Sequence, residues 1–420
     1  MIVIRNARAL RSSVIEQTTV VIDGDTIQAV GGDPQVNGAR VIDADGAWLG
    51  PGLVDLHVHF RDPGQTWKED METGAHAAAT GGFTAVVAMP NTEPPIDGGD
   101  RAMAAIERAR AIGTLDLRVA GCLTRGRAGK EMADYDAMYA AGVRVFSDDG
   151  DAVPEAGLLW RIMAYLRDLP GAVVAEHSED RSLAGHGHLH DGVTAAVHGI
   201  EGLPGLAEDV VVARDLEVAR ATGAHVHVQH VSTSNAVELI RRARDQGVAV
   251  TAEVTPHHLA LDESALEGLD PNLKMYPPLR SADDRAAVAM ALGQGVIDAV
   301  ATDHAPHSVA EKMVPFEEAP RGVIGLETAA AVVSSALGHD QAVFFDRLSV
   351  APARIAGLNR QGIAVEPGSP ANLMLFAPER RWTPGVFASR SENSPFTGVE
   401  LTGRVMATIY EGQISYEGGL

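Results

Sequence analysis

The sequence predicts an α/β fold: a TIM-type (β/α)8 barrel with a small β-sandwich domain formed by the N- and C-terminal segments. Three observations predict it. Eight apolar, β-branched runs recur through the centre, each followed by a polar cluster and then an Ala/Leu/Arg-rich helical pattern. Both ends of the chain are instead rich in short strands and Gly turns. At 420 residues the chain is long enough for one large barrel and a smaller unit. Strand–helix alternation implies a parallel sheet, and eight such units imply a closed barrel. A doubly wound sheet would need a Gly-rich phosphate loop after the first strand, and "HVHFRDPGQ" is not one.

The elements follow in order. In residues 1–50, "IVIRNARAL", "TTVVIDGDTIQAV" and "ARVIDADGAWLGPG" read as strands, with Asp-Gly turns at 23–24 and 45–46. The eight central runs are "LVDLHVH" (53–59), "TAVVAM" (84–89), "LRVAG" (117–121), "VRVFS" (143–147), "VVAEH" (173–177), "HVHVQH" (225–230), "VAVTAEVT" (248–255) and "DAVATDH" (298–304). Between them, "METGAHAAATGG", "DRAMAAIERARAIG", "NAVELIRRARDQG" and "DDRAAVAMALGQG" read as helices closing on Gly. Residues 180–209 read as a Gly- and His-rich surface loop. Near the end, "ANLMLFAP", "GRVMATIYEG" and "QISYEG" are strands again. The expected division is a composite β-sandwich domain from 1–50 and 360–420, and a barrel over 51–359.

Charge and composition exclude some function classes. With 34 basic and 56 acidic residues the net charge is −22, which argues against nucleic acid or an anionic membrane as partner. No apolar stretch reaches the ~18 residues of a membrane helix. "MIVIRNARAL" is broken by Arg5 and Arg8 and does not read as a signal peptide. The single cysteine, Cys122, permits no intramolecular disulfide, so a cytoplasmic protein is expected.

Active sites of barrels stand at the C-terminal strand ends. There the sequence places His57 and His59 (strand one), Asn91 just past strand two, Asp148 and Asp149 (strand four), His177 (five), His230 (six) and Asp303 with His307 beyond it (eight). Side chains two apart on a strand share a face, so His57 and His59 can bind one metal, with Asp303 beside them. His177 and His230 can hold a second ion, and a carboxylate between the ions can bridge them. His225 and His227 are out of phase with His230 and are expected to face the surrounding helices. His186, His188 and His190 are expected to be solvated in the long loop. His257 and His258 are expected to pack or hydrogen-bond at the rim of strand seven, and His304 to point away from Asp303.

These residues carry a resemblance. "DLHVHFRDPGQTWKED", "AMPNTEPP", "FSDDG", "EHSED", "QHVSTSNAVELIRRA", "AEVTPHHL", "KMYPPLR", "ATDHAPH" and "GLETA" resemble, in order, the bacterial class I dihydroorotases of the amidohydrolase superfamily. The resemblance implies reversible, zinc-dependent cyclisation of N-carbamoyl-L-aspartate to L-dihydroorotate in pyrimidine biosynthesis, with a metal-bridging hydroxide as nucleophile. It implies two zinc ions held by His57, His59, His177 and His230, with Asp149 bridging and Asp303 as ligand and catalytic acid/base. It implies that Arg61, Asn91 and His307 hold the substrate, Arg61 forking onto its carboxylate. Tyr276, Arg321 and Gly322 are further expected substrate contacts. A homodimer and an association with aspartate carbamoyltransferase are also implied.

The chain departs from the pattern in places. Many relatives bridge the metals with a carboxylated lysine at the end of strand four. The only lysines here are Lys68, Lys130, Lys274 and Lys312, none in that strand. Asp149 is preferred to Asp148 as the bridge. Tyr276 replaces the usual Asn before "PPLR", and Arg321 stands where an aromatic is common. The alternatives are another cyclic amidohydrolase of allantoinase or hydantoinase type, for which Arg61 has no use, and an inactive scaffold for aspartate carbamoyltransferase, which would have lost metal ligands.

Overall fold

A computed structural model describes residues 1–11, 14–32 and 38–418. The chain opens with β1 (Ile2–Arg11), β2 (Val14–Asp23), β3 (Thr26–Val30), β4 (Arg40–Asp43) and β5 (Trp48–Pro51). The turn before β5 holds Asp45 and Gly46 at φ 47° and 79°, the left-handed region that an Asp-Gly pair tolerates. The centre carries β6 (Leu53–Val58), β7 (Phe83–Ala88), β8 (Asp116–Val119), β9 (Val145–Phe146) and β10 (Val173–Glu176). A short pair follows, β11 (Leu189–His190) and β12 (Gly202–Leu203). Then come β13 (Val226–Val228), β14 (Val250–Val254) and β15 (Ala299–Val300). The chain closes with β16 (Leu373–Trp382), β17 (Leu401–Tyr410) and β18 (Gln413–Glu417).

The eight expected central runs each contain a strand, and all of these pair in parallel. One sheet is β6-β7-β8 and the other is β9-β10-β13-β14-β15. Hydrogen bonds join the two sheets at both seams. Gly121 N donates to Val145 O (3.0 Å) and Ser147 N to Gly121 O (2.8 Å); at the other seam His59 N donates to His304 O (2.9 Å). Asp55 strengthens that second seam by accepting from Thr302 N (3.1 Å) and Thr302 Oγ1 (2.6 Å). The expected helices span Met71–Thr80, Gly99–Ile112, Ser234–Asp245 and Ala282–Gln294.

Burial explains the alternation. Val58, Val86, Val226 and Val254 pack outward against helix residues such as Ile162, Leu216, Ile240 and Leu292. Fully burying one such side chain contributes about 1.5–3 kcal/mol. Val54, Leu56, Ala85, Ala175, Ala299 and Ala301 form a second, inner cluster.

The two termini share one mixed sheet in the order β18-β17-β16-β5-β1-β2-β3, with β4 beside β1. It has its own apolar core, including Ile4, Ile22, Ile27, Leu49, Leu373, Leu375 and Ile409. Phe344 and Phe376 stack where this sheet meets the central strands, with centroids 5.3 Å apart, and Trp48 packs edge-on to Phe344 and tilted against Phe376. A Cβ on Gly50 would lie 2.5 Å from the Phe345 ring, so glycine is required at that crossing.

Residues 180–209 are more structured than a plain surface loop. They contain helices Arg181–Ala184 and Val193–His198 and the β11–β12 pair. No helix among the described residues is long and apolar enough to cross a membrane.

Candidate metal centre

Six side chains from five strand ends meet at one point. His57 and His59 follow each other along β6 and its exit, with ring centroids 5.1 Å apart. Asp149 comes from the turn after β9, His177 follows β10, His230 follows β13 and Asp303 follows β15. Asp149 reaches all four histidines. Its Oδ1 lies 3.1 Å from His57 Nε2, 3.7 Å from His177 Nδ1 and 3.8 Å from His230 Nε2, and its Oδ2 lies 3.3 Å from His59 Nε2. Asp303 Oδ1 lies 3.1 Å from His59 Nε2 and 3.5 Å from His57 Nε2. All six side chains are buried.

Three of the site residues stand in strained backbone. Arg61, His230 and Asp303 have φ of 54°, 32° and 47°, which non-glycine residues rarely adopt. Such conformations persist where the surroundings over-determine them, and they cluster at functional sites.

The electrostatics ask for positive charge at the centre. Burial alone would raise the Asp149 and Asp303 carboxyls, yet the facing imidazoles, His57 foremost, hold both below the usual carboxylate range. Burial works against a charged His57, yet Asp149 and Asp303 raise it well above its ordinary value. His59 is pushed down by burial.

The donor set fits a metal. His57 Nε2 is buried and makes no aligned hydrogen bond, although Asp149 Oδ1 is near. The atoms of His57, His59 and Asp303 lie within 4.8 Å of one another, as do those of His57, Asp149 and His230. Ligands bonded at ~2.0–2.2 Å to one zinc stand at about such mutual spacings.

Asp148, next to the bridge position, faces elsewhere. Its Oδ1 accepts from Leu123 N (2.9 Å) and Thr124 N (3.0 Å), and its Oδ2 accepts from the Thr124 hydroxyl.

A cavity of about 140 Å³ opens on the cluster, lined among others by Arg61, Asn91, Tyr276, Arg321 and Gly322. Larger cavities of about 480 and 520 Å³ lie elsewhere and hold no such cluster, so chemistry and not volume selects the site. Asn91 is already engaged. Its Oδ1 lies 3.0 Å from His59 Nδ1, and its amide nitrogen donates to Asp149 Oδ2 (3.3 Å). Tyr276 lies between rings and charge: its centroid is 4.9 Å from that of His177, and the Arg321 guanidinium covers it at 4.1 Å. Gly322 has φ 129°, and a Cβ there would meet Ala305 at 2.8 Å.

His307 is set apart from the cavity lining. Its Nε2 donates to Arg321 O (2.8 Å), and its Nδ1 faces Lys68 Nζ at 3.5 Å. Burial and the cations Arg61, Lys68 and Lys312 push its pKa down to about 2, so it is neutral.

Several other histidines differ from expectation. His227 is buried and its Nε2 lies 3.0 Å from Glu253 Oε2; His225 Nε2 lies 2.9 Å from Thr251 Oγ1. Both point into the strand interior, not toward the helices. The phase count failed because the positive φ of His230 turns its side chain back onto their face. His188 is held by Lys274 Nζ at 3.2 Å and so is not simply solvated. Two others agree with it: His258 Nδ1 lies 2.8 Å from Oγ1 of the helix-capping Thr255, and His304 Nε2 faces Glu69 Oε2 at 3.3 Å. Glu253 and Gln229 were not singled out from sequence. Period two along their strands, with Thr251 and His227, was the available signal.

The family model described as Dihydro-orotase-like matches residues 46–236. A curated dihydroorotase of Caldanaerobacter subterraneus subsp. tengcongensis is 41% identical over 96% of this chain and 94% of its own length. One of Anaeromyxobacter dehalogenans is 42% identical over 96% and 94%. The chain belongs to the dihydroorotase family. Among solved structures, L-hydantoinase from Arthrobacter aurescens superposes with TM-score 0.88 at 25% identity, covering 100% of this chain and 96% of that one. Dihydropyrimidinase from Brevibacillus agri gives 0.83 at 25% identity, covering 98% and 94%. This member of the dihydroorotase family thus shares its fold with proteins named for other ring substrates.

Proposed function

We propose that the protein is a dihydroorotase of pyrimidine biosynthesis, opening L-dihydroorotate to N-carbamoyl-L-aspartate with uptake of water and closing it in reverse. Arg61 carries the reading. Its side chain lines the cavity, and Nε is buried with no hydrogen-bond partner among the described residues. Burial lowers its pKa, which is the cost of holding a cation out of water. A substrate carboxylate offsets that cost and matches the guanidinium fork. A neutral hydantoin ring would leave the cation with only the charges of Asp303, Asp149 and Glu311 to offset its burial, and no carboxylate on its fork.

The six clustered side chains are read as ligands of two zinc ions. His57 and His59 would hold one, His177 and His230 the other, with Asp149 between them and Asp303 beside the first. A metal bound there lowers the pKa of water and polarises an amide carbonyl. The remaining work falls to the chain. Arg61 fixes the ring by its carboxylate. Asn91 orients His59 and Asp149. Tyr276, Arg321 and Gly322 form the far wall. Water adds to the amide carbonyl, and its proton passes to a carboxylate oxygen of Asp303. Asp303 returns that proton to the ring nitrogen as the C–N bond breaks. His307 supports the wall through Arg321 O and is not read as touching substrate.

The same reading takes the eight parallel strands as one closed (β/α)8 barrel over 51–359, supported by the hydrogen bonds at both seams. Residues 1–50 and 360–420 are taken as the composite β-sandwich domain, supported by their shared sheet and separate core. A cytoplasmic enzyme suits the one free, buried thiol of Cys122. Sedimentation of the protein, alone and with aspartate carbamoyltransferase, tests the homodimer and the association.

The test of function is ultraviolet-monitored opening of L-dihydroorotate by zinc-loaded protein, beside Asp303→Ala. Turnover that the substitution abolishes supports the reading. A zinc-loaded protein inert toward dihydroorotate contradicts it.

A further inference from the structure

His57 is the one histidine of the cluster whose far ring nitrogen faces a carboxylate among the described residues. Glu253 on β14 is 1% exposed and points into the strand interior. Its Oε1 lies 3.0 Å from His57 Nδ1, and its Oε2 lies 3.0 Å from His227 Nε2. His227 Nδ1 lies 2.9 Å from Thr251 Oγ1, which lies 2.9 Å from His225 Nε2. A polar column, part-buried at His225 and Thr251 and buried from His227 inward, thus runs to the histidine cluster.

With one hydrogen on each imidazole, the column has one consistent placement of hydrogens. An ionised carboxylate only accepts, so His57 Nδ1 and His227 Nε2 both donate to Glu253. With a single hydrogen on its ring, His227 then has its lone pair on Nδ1 and accepts from the Thr251 hydroxyl. The oxygen of that hydroxyl accepts from His225 Nε2–H. Every member is satisfied. The Gln229 amide nitrogen lies 3.2 Å from His57 Nδ1 and its oxygen accepts from Ser147 Oγ (3.0 Å), so an N–H on His57 Nδ1 requires the Gln229 amide turned over, its oxygen toward His57 and its nitrogen toward Ser147. With the hydrogen on Nδ1, the lone pair of His57 lies on Nε2, facing Asp149 and Asp303.

We propose that Glu253 is a positioning residue for the metal centre, locking His57 in the Nδ1–H tautomer, while the His227–Thr251–His225 column holds Glu253 in place. The proposal rests on the metal reading given above. A carboxylate behind a ligating imidazole fixes ring orientation and raises ligand basicity, and its loss typically costs 10–100-fold in metal affinity. Glu253 grips His57 and none of the other three histidines, so its loss falls first on the ion shared with His59. A merely structural glutamate would affect stability and leave the tautomer and metal affinity alone.

Two measurements on the full chain test this. Zinc affinity is titrated against a chromogenic chelator for wild type and Glu253→Gln, with thermal unfolding of both metal-free proteins as a folding control. Histidine tautomers are read by nitrogen-15 NMR in zinc-loaded wild type, where the metal and not a proton takes one ring nitrogen, with His57→Gln to assign the signal. The expected result is zinc affinity about 10–100-fold weaker at one site in Glu253→Gln, with an Nδ1–H tautomer for His57 in wild type. A folded Glu253→Gln that binds zinc like wild type overturns the proposal. If that variant does not fold, the wild-type tautomer decides: Nδ1–H supports the lock and Nε2–H overturns it. Wild type that takes up no zinc overturns the metal reading itself, a result distinct from failure of the lock.

Discussion

His177 Nδ1 stands 2.8 Å from His230 Nε2. The two rings come from different strands, and their centroids are 4.6 Å apart. If the two nitrogens paired only with each other, one would have to carry a hydrogen. As co-ligands, both present lone pairs to one cation. The account expects the second arrangement, so His230→Ala lowers bound zinc by about one ion per chain. Elemental analysis of the purified variant beside wild type checks it. Unchanged zinc content would show that the pair is an ordinary hydrogen bond.

Adjacent aspartates at the end of β9 should separate cleanly. Asp148→Ala orphans the buried Leu123 and Thr124 N–H groups, each at a cost of about 1–3 kcal/mol. It should lower stability while the folded fraction keeps its metal. Asp149→Ala removes a carboxylate within 3.8 Å of four histidines. It should abolish zinc binding. Denaturant midpoints and zinc content of both variants give the answer. Metal loss in Asp148→Ala with retention in Asp149→Ala would reverse the assignment.

Arg61→Met should act on the substrate's charge. Hydrogen bonds to charged groups are worth about 1.5–3 kcal/mol, so KM for dihydroorotate should rise about 10–100-fold. Opening of a neutral ring, if measurable, should be unchanged or improved. An equal loss on both substrates would mean that Arg61 only supports the fold.

Most of the fold was legible in the sequence because period and punctuation agree there. The eight β-branched runs hold the eight parallel strands, and the helix patterns closing on Gly hold helices. The convergence of His57, His59, His177, His230 and Asp303 followed from one rule, that polar residues at strand ends meet at one rim. What escaped was backbone-dependent. Alternation alone cannot show that His230 has φ 32° and returns to the face of His225 and His227. Nor can it show that Asp148 turns toward Thr124 while Asp149 turns inward. Glu253 was hidden because its role depends on His57, 196 residues away in sequence. His307 matched a motif whose sequence does not reveal that Arg321 O occupies its ring nitrogen.

Acid should destabilise the protein through its buried neutral histidines. Burial, together with His227, lowers His225 to about 4 from 6.5. Between those values the unfolded chain binds a proton that the folded chain does not. Stability therefore rises with pH across the window, is full above about 6.5 and is lost as pH falls toward 4. The loss from this group is on the order of 1–3 kcal/mol. His225→Asn keeps a donor for Thr251 and removes the titration. Denaturant unfolding of the metal-free proteins at pH 7 and pH 5 should show a smaller acid loss in the variant. Equal losses would place the acid sensitivity elsewhere.

The most direct test of the central claim is the ratio of kcat/KM for L-dihydroorotate to that for dihydrouracil, the same ring without the carboxylate, measured on zinc-loaded protein. The account predicts efficient opening of dihydroorotate and a ratio of at least about 10–100, the worth of the Arg61–carboxylate pair. A ratio at or below one, with zinc bound and dihydrouracil opened, would contradict it and make this chain a hydrolase of neutral rings.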